Sequence, residues 1–381
     1  MKKLFFLLAC AVALTMSSCK PDPLPDDPIP DDPIPDTTIV SNDTIEPAFL
    51  LPKGVFVLNE GNFTYANASL TFYDPDMDTV TNNLFYRVNN APIGDVGQSL
   101  AMIEGKLYIV VNNSNYIYKV DANTIVCDTT QPYMITNFVQ PRFMLPVAPN
   151  KAYVSDLAST ELWVINPQDM THTGTISMGK STETMVQVGH EVYVTNWSKV
   201  YVPDMENNTV QVVDATNDIK VADITVGKEP NSMVADKNGY VWVLCEGATW
   251  DYLEAESPTL WKIDPMTKQA TCMVTFEESA INLAIDPTGS YLYYVRGGDW
   301  GTRAGDLHRV SIDNPTVEDS FVIPAEGRMF YKVAVNPNNG DIYLTDAKNY
   351  TTNGTVYRYS ADGVQLGSFD AGLIPGFMLF N

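Results

Sequence analysis

The feature that most constrains the fold is a short strand core that recurs seven times along the chain. In the fourth copy it reads Tyr193-Val194-Thr195-Asn196. The other copies are Phe56-Val57-Leu58-Asn59, Tyr108-Ile109-Val110-Val111, Tyr153-Val154-Ser155-Asp156, Trp242-Val243-Leu244-Cys245, Tyr293-Tyr294-Val295-Arg296 and Tyr343-Leu344-Thr345-Asp346. A unit of a few short strands cannot bury its own faces, so the copies must stack against one another.

Each copy contains four strands in the same order. In the third copy a short apolar strand from Pro141 to Leu145 precedes the recurrent core, and an alternating strand ending at Pro167 and a last strand from Thr173 to Met178 follow it. The sequence therefore predicts an all-β, seven-bladed β-propeller with four-stranded blades and a period of roughly 41 to 50 residues. The innermost strands are predicted to begin near Gln98, Pro141, Thr182, Pro230, Ala280, Phe330 and Pro375.

The two ends of the repeat region predict how the ring closes. The first copy begins at Lys53 without an innermost strand, while the chain ends with Pro375-Gly376-Phe377-Met378-Leu379-Phe380, which matches Pro141-Arg142-Phe143-Met144-Leu145. The C-terminal strand is therefore predicted to complete the first blade, which removes exposed sheet edges. The propeller domain is predicted over 53–381, and an unclosed sandwich of similar strands is the alternative.

The N-terminus carries a targeting signal. Lys2 and Lys3 precede an apolar run from Leu4 to Met16, so residues 1–18 are predicted to form a secretory signal peptide. The run is too short to be a membrane span.

A lipid anchor and a tether are predicted to follow. Met16-Ser17-Ser18-Cys19 resembles a bacterial lipobox, which makes Cys19 the predicted lipidation site. Residues 19–52 are rich in Pro and Asp, and such a segment forms an extended tether because proline stiffens it and like charges repel. An acidic stretch behind a lipidated Cys resembles the surface-export signal of Bacteroidetes lipoproteins. The predicted location is the outer membrane at the cell surface.

The net charge excludes some classes of binding partner, and the cysteine content indicates whether disulfides form. The formal net charge of -23 argues against nucleic acid and anionic membrane surfaces, so the lipid is expected to make the membrane contact. The domain contains Cys127, Cys245 and Cys272, which we expect to be small buried residues without a disulfide.

Motifs of common catalytic sites are missing from the sequence. There is no HExxH, CxxC, GxSxG or glycine-rich phosphate loop, and His172, His190 and His308 fall in different copies. From this we predict that the protein is not an enzyme and carries no cofactor. An acidic calcium site is the alternative left open.

Aromatic side chains recur in the connections between the second and third strands, which in a propeller share a face with the entry to the central channel. Together with Asn side chains and three Arg residues they suit a bulky ligand with an apolar body and polar edges. A loop Tyr can also simply cover a neighbouring turn. The candidate ligand-binding residues are Asn62, Phe63, Tyr65, Tyr116, Arg142, Trp197, Tyr201, Trp250, Tyr252, Trp300, Arg303, Arg328 and Tyr350.

The strand core Tyr193-Val194-Thr195-Asn196 resembles the signature of the YVTN, or YncE-like, repeat propellers. The first copy, from Val57 to Phe63 and from Asn67 to Asp74, together with the lipobox resembles the BtuG family of Bacteroidetes surface lipoproteins. That resemblance implies capture of cobalamin or a related corrinoid on the loop-bearing face and delivery to a TonB-dependent outer-membrane transporter, with the protein otherwise a monomer. A surface adhesin or glycan-binding propeller is the alternative.

Overall fold

The computed structural model describes residues 50–128, 132, 138–202, 205–247, 255–298, 305–316 and 321–381, and it confirms the propeller. Its strands form seven separate sheets, six with four strands and one with three. Residues 1–49, which contain the predicted signal peptide, Cys19 and most of the tether, lie outside the described residues.

The strands have the following bounds, blade by blade. Blade 1 contains β1 (Val55–Asn59), β2 (Ser69–Asp74), β3 (Thr79–Thr81) and β27 (Pro375–Phe380); blade 2 contains β4 (Gly97–Ile103), β5 (Lys106–Val111) and β6 (Tyr116–Asp121); blade 3 contains β7 (Pro141–Ala148), β8 (Lys151–Asp156), β9 (Glu161–Asn166) and β10 (Thr171–Ser177). Blade 4 contains β11 (Met185–Val188), β12 (Glu191–Asn196), β13 (Thr209–Asp214) and β14 (Ile219–Thr225); blade 5 contains β15 (Pro230–Ala235), β16 (Val241–Cys245), β17 (Thr259–Ile263) and β18 (Ala270–Thr275). Blade 6 contains β19 (Ala280–Ile285), β20 (Tyr291–Arg296), β21 (Asp306–Ser311) and β22 (Val322–Ile323); blade 7 contains β23 (Phe330–Val335), β24 (Ile342–Asp346), β25 (Asn353–Tyr359) and β26 (Gln365–Leu373).

The hydrophobic core lies between the blades. Every residue of the second strands β1, β16 and β24 is buried, because both faces of each sheet pack against a neighbouring sheet. Between blades 7 and 1, for example, Val57 packs in one cluster with Tyr343 and Val356. This two-sided burial explains why the recurrent core is a continuous apolar run led by an aromatic residue.

The C-terminal strand closes the ring as predicted. β27 pairs antiparallel with β1, with Val55 opposite Phe380 and Val57 opposite Met378. The backbone N–H of Gly54 donates a hydrogen bond to Asn381 Oδ1, which ties the two ends of the domain together. Both termini of the propeller therefore belong to one blade.

Within the described residues the sheet of blade 2 has three strands, and an isolated bridge joins Val120 to Cys127 beside the third. Residues 129–131 and 133–137, which follow this bridge, lie outside the described residues. A short helix, α1 (Leu84–Asn89), precedes this blade and buries Leu84 and Phe85 in the core between blades 1 and 2. No helix among the described residues is long and apolar enough to cross a membrane.

The three cysteines are free, and only one fits the expectation of burial. Cys245 is buried, Cys127 is half-buried and Cys272 is exposed. The prediction was wrong for Cys272 because β18 is the outermost strand of its blade, where Thr271, Cys272 and Thr275 are exposed.

The propeller has two faces of different construction. We call the face where the second strands begin the turn face, because it carries the short turns between first and second and between third and fourth strands. The opposite face, where the second strands end, we call the loop face. The described chain enters the domain at the turn face, where the Leu51 N–H donates to the Asn123 carbonyl over 2.7 Å.

Candidate functional site on the loop face

Three of the predicted aromatic side chains are open to solvent on the loop face. Phe63 and Tyr65 in blade 1 are 61% and 74% exposed, and Tyr201 in blade 4 is 49% exposed. The backbone beneath the first two is held in place, since the Thr64 N–H donates to both carboxylate oxygens of Asp95 at 3.0 and 2.9 Å. These rings are therefore presented on an anchored loop.

Two other predicted residues link neighbouring blades. The Asn62 side-chain amide donates to the Tyr350 carbonyl over 2.8 Å, which joins the loops of blades 1 and 7. The Tyr350 ring packs edge-on against Tyr331 with a centroid distance of 5.8 Å. The Tyr350 ring is thus half-covered by the protein.

Tyr116 and Arg328 make contacts within the protein. Tyr116 is the first residue of β6, and its hydroxyl donates to the Ile93 carbonyl over 2.8 Å. Arg328 Nη1 donates to the Tyr359 hydroxyl over 2.7 Å, and its guanidinium stacks over Tyr357 at 4.5 Å. The structure gives both residues a packing role between elements.

Four of the predicted residues, Trp250, Tyr252, Trp300 and Arg303, lie outside the described residues. Trp197 is described and is largely buried beneath the loop surface, where its ring centroid lies 6.0 Å from the Arg142 guanidinium carbon. Its carbonyl accepts a hydrogen bond from the Asn207 side chain over 3.1 Å.

Below the loops, a set of polar side chains surrounds the start of the innermost strands, and we call it the polar floor. Its members come from six blades, with Glu183 from the segment leading into blade 4. They are Glu60, Gln98, Arg142, Glu183, Asn231, Glu246, Asn282, Tyr331 and Lys332. Of these, the sequence-based prediction identified Arg142 alone.

Arg142 is held in a multiple ion pair. Its Nε donates to both Glu183 oxygens at 2.9 and 2.8 Å, its Nη2 donates to Glu183 Oε1 at 2.7 Å, and its Nη1 donates to Gln98 Oε1. Burial opposes the charge, but Glu183 more than compensates and raises the pKa of Arg142. The guanidinium is therefore neutralised locally and fixed in orientation.

Glu60 follows β1 and lies over the innermost strand of its own blade. Both of its carboxylate oxygens accept from the Tyr331 hydroxyl, at 3.0 and 3.1 Å. Gly376 leaves the space for this side chain, because a Cβ at that position would collide with the Glu60 carboxylate. Burial raises the pKa of Glu60, and Lys332, Tyr331 and Arg142 offset that effect only in part.

Glu246 follows β16 and is oriented by a hydrogen-bond relay. The Leu283 N–H donates to Ser232 Oγ at 2.9 Å, and the Ser232 hydroxyl donates to Asn231 Oδ1 at 2.6 Å. This fixes the Asn231 amide so that its Nδ2 donates to Glu246 Oε1. Burial raises the pKa of Glu246 to about 7, with a further increase from Glu229 and decreases from Asn231 and Lys332.

Lys332 acts on both of these carboxylates. Its Nζ donates to Asn282 Oδ1 over 3.2 Å and lies 5.0 Å from the Tyr331 ring centroid. It lowers the pKa of both Glu60 and Glu246. In the part of the chain that the structure describes, no carboxylate lies within ion-pair distance of Lys332.

Several residues of the polar floor occupy equivalent positions on the innermost strands of their blades. In six of the seven blades the innermost strand starts with a residue paired to the end of the second strand, such as Pro230 with Cys245 and Phe330 with Asp346. In blade 4 the innermost strand starts at Met185, opposite Val194. The next residue on the innermost strand then reaches the floor, as Asn231 and Tyr331 do. An alignment of the repeats at these positions could have identified the floor residues from the sequence. Among the described residues, no group of three or more His, Cys, Asp or Glu side chains is arranged to hold a metal ion.

Comparison with known proteins shows the family and the fold. A family model described as a domain of unknown function, DUF5074, matches residues 53–371. No curated protein sequence matches the chain.

Several solved structures share the fold at low sequence identity. A quinonprotein alcohol dehydrogenase-like protein from Bacteroides thetaiotaomicron has a TM-score of 0.65 and 16% identity over 86% of this chain and 78% of that one. The periplasmic gluconolactonase of Pseudomonas aeruginosa has a TM-score of 0.62 and 12% identity over 86% and 98%. A putative 6-phosphogluconolactonase from Bacteroides uniformis has a TM-score of 0.61 and 13% identity over 86% and 99%.

These neighbours correct the prediction that the protein is not an enzyme. That prediction was wrong because it rested on missing motifs such as HExxH and GxSxG, whereas structures named as lactonases share this propeller architecture. Identities of 12% and 13% show the fold alone, so they assign no reaction to this chain.

Proposed function

Since this chain belongs to the DUF5074 family, a family of unknown function, we propose that it is a lipid-anchored surface protein that captures a corrinoid on its loop face. It then delivers the corrinoid to a TonB-dependent outer-membrane transporter. Cys19 provides the anchor, and residues 19–52 provide the reach from the membrane.

The observation that carries this proposal is the layering of the loop face. Exposed aromatic rings, Phe63, Tyr65 and Tyr201, stand above a floor of amide, carboxyl and ammonium groups. A corrin is a broad apolar ring whose rim carries carboxamides, so it can contact the aromatic planes and hydrogen-bond to the floor together. The resemblance of the first blade to corrinoid-binding lipoproteins supports the same ligand.

The proposal is tested by titrating cyanocobalamin into the purified protein in a calorimeter. We expect one tight site, and each of Phe63→Ala, Tyr65→Ala and Tyr201→Ala is expected to weaken binding by about 1 to 3 kcal/mol, as for a single aromatic anchor. Absence of binding heat with the unmodified protein would rule out the corrinoid.

Tyr291→Ala is the matched control for these variants. Tyr291 is also an exposed aromatic residue, 38% accessible, but it begins β20 on the turn face. Its removal is expected to leave the affinity unchanged. An equal loss of affinity in this variant would show that the ligand does not bind on the loop face.

A second candidate function, hydrolysis of a lactone, is favoured by the environment of Glu246. The Glu246 carboxylate would take a proton from water as the water oxygen attacks the lactone carbonyl carbon, and the Lys332 ammonium would stabilise the oxyanion. The ring C–O bond would then break, and the alkoxide would recover the proton from Glu246 to give the hydroxy acid.

This second candidate is tested with glucono-1,5-lactone in a pH-stat, measured above the spontaneous rate. Glu246→Gln is expected to reduce an enzymatic rate by about 10²-fold or more, as for loss of a general base. Glu277→Gln, an exposed carboxylate on the same face, is the control. A wild-type rate equal to the spontaneous rate would eliminate this candidate for that lactone.

A further inference from the structure

The charges of the polar floor are balanced against one another. The Arg142 guanidinium is engaged by Glu183 and Gln98. The Lys332 ammonium lies near both Glu60 and Glu246, whose pKa values it lowers. An anionic ligand group would therefore approach carboxylates, and a cationic group would approach Lys332. A ligand group of either charge would therefore have a like charge of the floor nearby.

The floor nevertheless has hydrogen-bonding capacity to spare. The Lys332 ammonium has three donors, and Asn282 accepts one of them. Glu246 Oε1 accepts from Asn231, which leaves Oε2 available. The buried Trp197 Nε1 has no hydrogen-bond partner among the described residues. It lies close enough to Glu246 to lower the pKa of that carboxyl slightly. Donors and acceptors are thus available side by side.

From this arrangement we propose that the polar floor binds neutral carboxamide groups of the ligand, and that Glu246 takes up a proton when the ligand covers it. A carboxamide offers a carbonyl acceptor to Lys332, to Trp197 or to the O–H of a protonated Glu246 carboxyl, and the proton that Glu246 takes up supplies that O–H. This inference rests on the proposed corrinoid capture and names the group that the site recognises.

Proton uptake follows from the removal of water. A ligand above Glu246 replaces its remaining solvent contact and so disfavours the charged carboxylate further. The neighbouring Glu229 acts in the same direction, and Lys332 acts against it. Glu60 faces Lys332, Arg142, Tyr331 and Tyr350, and Lys332 and Arg142 help to keep it charged.

The expected sign is tighter binding at lower pH. Because the bound state holds more protons than the free state, the dissociation constant should rise between pH 6 and pH 8, by up to about tenfold per pH unit if one full proton is taken up. A ligand in which one carboxamide has become a carboxylate should bind more weakly, and the difference should grow with pH.

The experiment uses calorimetry with cyanocobalamin and with the monocarboxylic acid derivatives obtained by hydrolysis of one side-chain amide. Each is titrated at pH 6, 7 and 8 in phosphate and in MOPS, which both buffer near neutral pH and differ in ionisation enthalpy. We expect buffer-dependent heats that report proton uptake, and at least one derivative that binds tenfold or more weakly than cyanocobalamin at pH 8. Glu246→Gln should lose the buffer dependence, while Glu277→Gln should keep it.

Different results would overturn the corrinoid function and the inference about the polar floor. No binding of cyanocobalamin at any pH overturns the corrinoid function. Binding with the same heat in both buffers, and with equal affinity for every derivative, overturns the inference about the floor and leaves capture standing. The buffer comparison on the unmodified protein decides this even if Glu246→Gln fails to fold.

Discussion

The two faces of the propeller use the same kind of side chain in opposite ways. On the turn face, Asp214 ends β13 and Asp264 directly follows β17, and each accepts the backbone N–H two residues further on, from Thr216 and Met266, both at 2.8 Å. On the loop face, Glu60 and Glu246 each follow a second strand and lie in the polar floor. These turn-face carboxylates complete turns. On the loop face Glu60 and Glu246 bond instead to side chains of the floor, Tyr331 and Asn231, below the proposed ligand site.

The pKa shifts of the two sets have opposite signs. A hydrogen bond from Asn217, together with the Thr216 amide, lowers the pKa of Asp214, and the Met266 amide lowers that of Asp264. Burial raises the pKa of Glu60 and of Glu246. Carboxylates that stabilise a fold are stabilised in their charged form, while a carboxylate kept close to neutrality in a cleft indicates a functional site.

The sequence predicted the ring because the repeat is a property of the backbone and the apolar pattern. The match of Pro375-Gly376-Phe377 to Pro141-Arg142-Phe143 identified the closing strand correctly. In blade 2 the described residues beyond the third strand form one bridge, at Cys127, and residues 129–131 and 133–137 lie outside the described part of the chain.

The site was harder to predict because it is assembled by ring closure. Glu60 and Tyr331 are 271 residues apart, and their contact exists only because blades 7 and 1 are neighbours. The exposure of an aromatic such as Phe63 follows from its local position in a loop. The orientation of Glu246 by Asn231 depends on a bulge in the pairing of β15 with β16, which composition does not predict.

The largest expected effect comes from breaking the closure on which both faces depend. Truncation after Gly372 removes β27, exposes the edge of β1 and leaves Glu60 without the strand that it lies over. We expect loss of the cooperative thermal transition. Adding a peptide of residues 373–381 should restore part of it, and an unchanged transition in the truncated protein would contradict the role of β27.

Glu246→Gln should change how stability depends on pH. The native pKa of Glu246 is about 7, above the usual value of 4.5 for a Glu side chain, so between these values the folded state binds more protons than the unfolded state. Its contribution to the free energy of unfolding therefore falls as pH rises from 5 to 8, by on the order of 2 kcal/mol. Denaturant unfolding of the variant should lack this decrease.

Asp264→Asn on the turn face is the matched control with the opposite sign. Its native pKa is lowered, so the stabilisation that it gives is present at neutral pH and is lost as the pH falls below the usual range for Asp. If both variants changed stability in the same pH window and direction, the proposed difference between the two faces would be wrong.

The smallest expected effect comes from comparing two tyrosines at equivalent positions of the repeat, both on the turn face. Tyr108 and Tyr343 both lie near the start of a second strand and are fully buried, but the Tyr108 hydroxyl donates to the Pro167 carbonyl of the next blade at 2.6 Å. Within the described residues the buried Tyr343 hydroxyl has no hydrogen-bond partner. Tyr108→Phe should therefore lower the free energy of unfolding by about 1 to 2 kcal/mol, since it leaves a carbonyl without its donor, whereas Tyr343→Phe should be neutral or stabilising by up to about 1 kcal/mol. Chemical denaturation of the two variants beside the unmodified protein measures the difference, and equal destabilisation by both would mean that the Tyr343 hydroxyl has a partner in solution.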